Sequence, residues 1–281
     1  MDNAVNGARV RRGYVDGRYG QLHYRQAVPA RPSARPLILL HQNPSSSLEY
    51  VRLIEEMATD RRVVAFDTPG YGMSDSPPVP LSVTDYAACF AEGARALELL
   101  EGEGCDVFGV HTGSLLALEL ALAEPQHVAH VIVSGIPMRS VEERAALLDQ
   151  ARAVVPIDED GRGIFDVAAK LWDFIVAQRL PGVSLRRAAQ TWVDKLAPLD
   201  RRSWAYQGVW GYDYARLPGV CQPVLLLQPQ EAIAQVSRDA TALLPNAEIV
   251  DLHGFTRDLF DLPAAVTRLG AEMRRFFDTP V

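Results

Sequence analysis

Lysine is nearly absent from this chain: Lys170 and Lys195 are the only two, and arginine supplies the rest of its 28 basic residues. Acidic residues number 35, so the net charge is −7 and the pI is near 5.4. That deficit of positive charge argues against nucleic-acid or anionic-membrane binding, both of which call for basic patches. Cysteine is scarce as well. Cys89, Cys105 and Cys221 lie far apart without metal-ligand spacing, so they read as small buried hydrophobes in a reducing compartment, and no metal or cofactor is expected. No apolar run approaches the roughly 20 residues that span a bilayer. The opening stretch "MDNAVNGARVRRGYVDG" lacks the apolar core of a signal peptide, so a cytoplasmic protein is expected. Arginine in place of lysine, with abundant alanine, is the composition of a GC-rich bacterial genome.

What is present is ordinary globular material, 281 residues with 48% hydrophobic and 22% charged, enough for one large α/β domain or for a domain with an inserted cap. Residues 13–27 alternate around a glycine-rich turn and predict an antiparallel hairpin. Continuous apolar runs in "RPLILLHQNP", "RRVVAFD", "CDVFGV" and "HVAHVIVSGIP" predict strands buried on both faces. Helical stripes lie between them. One opens with capping-box spacing at Ser46 and Glu49, one covers 82–100, and one is "GSLLALELALAEP". This rhythm predicts a mostly parallel doubly wound sheet. It breaks over 138–219, a helical stretch holding Trp172, Trp192, Trp204 and Trp210, and resumes at "PVLLLQP". The expected organisation is a core of 1–137 and 220–281 with a helical cap at 138–219.

Four landmarks in order resemble the α/β-hydrolase superfamily: the oxyanion-type loop "LLHQNPSSS", the segment "AFDTPGYGMSD", the elbow "GVHTGS", and an insertion after the next strand. The resemblance covers nearly the whole length and implies an α/β-hydrolase fold with an inserted cap. It also implies a serine, aspartate or cysteine at the elbow apex, and the apex here is His111. Gly109 and Gly113 keep the turn. Ser114 would sit inside the helix, and Thr112 would point elsewhere. The position implied for the acid after "PVLLLQP" is Ala232, with Glu231 one residue short. The position implied for the histidine is Arg257, with His253 four residues earlier. The triad is therefore degenerate, and an ordinary esterase mechanism is not expected.

Catalytic candidates are His111, His41 and Arg257. His111 at a helix N-terminus is expected as a neutral imidazole that accepts a proton, against the plainer reading that it fills the old serine pocket. His41 opens the oxyanion loop, where it either approaches His111 or braces the loop. Arg257 is expected to pair with Glu231 or to contact a substrate oxyanion. The backbone N–H groups of Gln42 and Thr112 are the expected oxyanion donors. Trp172, Trp204, Trp210 and Tyr206 are expected to roof an apolar small-molecule site. The expected function is a cofactor-independent, non-hydrolytic enzyme of the cyclase, cycloaddition, isomerase or lyase type, in bacterial secondary metabolism. The alternatives are a slow hydrolase using His111, or a non-catalytic small-molecule-binding protein. Expected partners are the substrate and at most a second copy of the chain.

Overall fold

The computed structural model describes residues 9–153, 157–256 and 258–279. Two antiparallel strands open the chain, β1 (Arg11–Gly17) and β2 (Gly20–Ala27), as the alternating pattern requires. β3 (Leu37–Leu40), α1 (Val51–Met57), β4 (Val63–Phe66), α2 (Val83–Ala96), β5 (Cys105–Val110), α3 (Thr112–Ala123) and β6 (Val128–Ser134) follow. A helical stretch then carries α4 (Val141–Arg152), α5 (Arg162–Trp172), α6 (Leu185–Leu196) and α7 (Trp204–Trp210). β7 (Val224–Pro229), α8 (Ala234–Thr241), β8 (Ala247–Leu252) and α9 (Pro263–Phe277) complete the core.

The eight strands form one sheet in the order β1-β2-β4-β3-β5-β6-β7-β8, parallel from β4 to β8. Burial on both faces explains why β3, β4, β5 and β7 are continuous apolar runs. One face packs on α2, α3 and α7 through residues such as Ile38, Val107, Leu116 and Leu226; the other packs on α1 and α9 through Leu39, Phe108, Leu225 and Leu269. The strand order reverses between β3 and β5. That is the switch point at which open α/β sheets form a crevice beyond the carboxyl ends of their strands. The loop after β3 and the turn after β5 therefore lie side by side.

Two local expectations are corrected. Ser46 caps a short 3-10 turn at Ser47–Tyr50, not the α-helix, and its Oγ accepts from Leu48 N at 3.2 Å. Glu49 does not close the capping box, because its carboxylate is turned back to the preceding loop. Cys89 and Cys105 are buried, but Cys221 is exposed just ahead of β7.

A buried carboxylate fixes the loop after β4. Asp67 accepts from His23 Nδ1 at 2.7 Å, Ser47 N at 2.7 Å and Met73 N at 2.9 Å. Burial alone would push its carboxyl up; the hydrogen bonds from His23 and Ser47, with the nearby imidazoles, hold it down at about 2. A depressed folded value means stability present above the unfolded value of about 4 and lost as pH falls toward 2. Asp67→Asn is expected to destabilise the fold by about 3 kcal/mol and to flatten the acid limb of the pH–stability curve, measured by urea unfolding.

Candidate active site

His111 follows β5 and sits at the N-cap position of α3 with φ 50° and ψ −111°, a strained conformation that holds its side chain out of the turn. Its backbone is pinned: its N–H donates to Ser134 O at 2.9 Å, and its carbonyl accepts from Ser114 N at 2.9 Å. The turn needs both glycines. A Cβ on Gly109 would collide with the carbonyl of Gly113, and one on Gly113 with the carbonyl of Leu40. Ser114 is fully buried, and its Oγ donates to Gly109 O at 3.0 Å and Ser134 O at 3.1 Å. It is a structural serine.

The decisive contact joins His111 Nε2 to Glu231 Oε2 at 2.8 Å, with the two side chains 36% and 17% exposed. Because the carboxylate only accepts, Nε2 carries the hydrogen. Nδ1 is left without a partner among the described residues and offers its lone pair. Glu231 follows β7 on the loop that resemblance assigns to the triad acid, and it meets the imidazole directly. Glu231 therefore pairs with His111; the expected contact of Arg257 with Glu231 or a substrate oxyanion falls on a residue outside the described ones. Thr256, one residue earlier, stands at the cavity wall. Gly135 makes room for the dyad, since a Cβ there would strike the His111 ring and Glu231 Oε1.

His41 takes no part in the cavity. It is fully buried: Nδ1 donates to Gln42 O at 2.6 Å, and Nε2 accepts from Thr68 N at 2.9 Å. Both ring nitrogens are used in bracing the loop, so a catalytic role for His41 is corrected to a structural one. The expected Gln42 oxyanion donor is corrected too. Its N–H donates to Glu49 Oε1 at 3.2 Å and its side chain to Glu49 Oε2 at 3.0 Å. Ser45 Oγ donates to the same carboxylate at 3.0 Å. Thr112 does line the cavity, as the first residue of α3, where N–H groups lack intrahelical acceptors.

The cavity has two adjoining lobes of about 450 and 360 Å³, and both are lined by Asn43, His111, Phe174, Tyr206, Glu231 and Thr256. The first lobe adds Trp210, Val209, Pro137 and Ile233. Tyr206 and Trp210 are one helical turn apart on α7 and stack with centroids 6.2 Å apart. These two aromatics roof the site as expected. Trp204, two residues before Tyr206, faces away from that side of α7 and does not line either lobe. Trp172 is 44% exposed and meets Trp192 edge-on at 5.2 Å. Leu171, Phe174 and Ile175 line the second lobe in its place, because their helical spacing puts them on the adjoining face. That lobe combines these apolar side chains with charged ones. Arg187 donates to Asp261 at 2.6 Å, and Lys195 Nζ donates to Pro44 O at 2.9 Å. Burial lowers the Lys195 ammonium, against the opposing pull of Glu49 and Asp194, and burial also lowers Arg202.

Sequence reasoning missed Asn43, Gly135, Phe174 and Thr256. The apolar i, i+3, i+4 spacing of Leu171, Phe174 and Ile175 was the available signal for Phe174. Nothing local marked the other three.

The family profile described as the alpha/beta hydrolase fold matches residues 35–255. The proline iminopeptidase of Clostridium botulinum is 23% identical over 169 residues, 59% of this chain and 56% of that protein. Epoxide hydrolase 4 of Mus musculus is 30% identical over 122 residues, 43% of this chain and 33% of that protein. The chain thus spans about half, or less, of the length of these curated relatives. The enol-lactonase from Burkholderia xenovorans LB400 superposes with a TM-score of 0.75 at 16% identity, covering 95% of this chain and 100% of that one. Sheet order, elbow and profile match agree: the chain belongs to the α/β-hydrolase fold family.

Proposed function

We propose that this chain is a proton-transfer enzyme on the hydrolase scaffold. His111, held by Glu231, removes a proton from carbon in a small molecule and returns it, with isomerisation, elimination or ring closure as the outcome. The observation that carries this reading is the 2.8 Å His111–Glu231 hydrogen bond on the elbow. A carboxylate on one imidazole nitrogen fixes the ring and stabilises the imidazolium that forms when the other nitrogen takes a proton. Ser114 is committed to two carbonyls, so the elbow presents no serine nucleophile. The Gln42 N–H is committed to Glu49, which puts a carboxylate where acyl transfer would want a main-chain donor.

A second reading uses the same dyad to activate water. It is favoured by the hydrolytic names of the relatives, a peptidase and an epoxide hydrolase. Two probes separate the readings. Opening of the nitrobenzisoxazole ring needs only a base: the C–H proton leaves, the N–O bond breaks, and a nitrile and a phenolate form. Activated esters need attack at a carbonyl. Proton transfer expects ring opening that depends on His111 and no ester turnover. Ester turnover lost in His111→Ala, without ring opening, would favour water activation, and no rate above buffer in either assay would sink both readings.

Gly135→Ala tests the geometry while leaving both reacting side chains chemically unchanged. Its methyl must displace the His111 ring or Glu231, and Gly135 has φ of 73°. A loss of about 10²-fold in ring opening is expected, because a misplacement near 1 Å has that cost.

A further inference from the structure

Asn43 is 3% exposed, yet neither its Nδ2 nor its Oδ1 has a hydrogen-bond partner. It lines both lobes beside His111. A second buried group, Ser134 Oγ, is also without a partner and lines the second lobe. Burying such groups unpaired costs roughly 1–3 kcal/mol each, and a native fold keeps them that way where something else supplies the partner. The neighbouring donor cannot do so for an incoming oxygen, since Gln42 N–H is held by Glu49.

Resting on the proton-transfer reading, we propose that the substrate is a carbonyl compound with an acidic C–H beside the carbonyl, and that the Asn43 amide binds its oxygen. His111 Nδ1 takes the proton. The C–H electron pair becomes the enolate double bond, and the carbonyl π pair moves onto oxygen. The resulting oxyanion accepts a hydrogen bond from Asn43 Nδ2, while the imidazolium stays against Glu231. Returning the proton to carbon closes the cycle with no other reactant. Asn43 Oδ1 selects for a substrate O–H or N–H next to the carbonyl, and Ser134 supplies a further polar contact at the inner end.

The test uses para-nitrophenol, whose phenolate mimics the enolate and absorbs visible light. Wild type is expected to bind it as phenolate, with the proton on His111. Asn43→Leu keeps nearly the same bulk and removes the unpaired amide. It is expected to weaken phenolate binding at least tenfold while Tm stays equal or rises, and Asn43→Asp should weaken it further by charge repulsion. His111→Gln should bind only the neutral phenol. If Asn43→Leu binds phenolate as well as wild type while His111→Gln loses it, the base stands and the role of Asn43 is overturned. A marked fall in Tm for Asn43→Leu also overturns it, because that is the mark of a packing residue. If wild type does not bind the phenolate, the dyad is not a base toward such compounds and the inference fails with it.

Discussion

His111→Ala should cut nitrobenzisoxazole opening by about 10³-fold, within the span that a positioned general base contributes, and should leave the fold intact. The imidazole is partly exposed and packs into no core cluster, so removing it opens a cavity that solvent already reaches. Backbone strain makes a sharper companion. A residue held at φ 50° and ψ −111° carries about 1–3 kcal/mol of conformational cost, which glycine relieves. His111→Gly should therefore be inactive yet melt about 2 °C or more above wild type. A gain in Tm with complete loss of activity is what a functional residue on a strained turn produces. A histidine that merely fills the old serine pocket would give a lower Tm.

Glu231→Gln should lower the same rate by about 10²-fold, a loss in the general acid–base range. The amide preserves the volume and can still accept from Nε2–H, but it removes the charge that stabilises the imidazolium. Glu231 stands at the cavity wall with its side chain 17% exposed, so the substitution should leave the melting temperature within about 1 °C of wild type. A steady-state assay with circular dichroism on the same sample reads both quantities.

The central strands were legible because burial on both faces leaves a continuous apolar run. The elbow was legible from Gly109 and Gly113, whose close backbone approaches only glycine allows. Pairing across the site was not. Glu231 reaches His111 across 120 residues of sequence, and the contact depends on Gly135 leaving space, which no local pattern marks. His41 and Gln42 misled for a related reason. A sequence shows that a side chain has donors and acceptors, but not that Thr68 and Glu49 have already taken them. The tryptophans divided by helical phase: Trp210 shares the Tyr206 face of α7, and Trp172 lies one step off the lining face.

A double-mutant cycle on nitrobenzisoxazole opening, comparing His111→Ala, Glu231→Gln and the two together, measures whether these residues act as one unit. The account predicts that the double variant is no slower than His111→Ala alone, because Glu231 has nothing to orient once the imidazole is gone. Losses that multiply independently would contradict it, and would return His111 and Glu231 to the status of neighbours in an abandoned serine pocket.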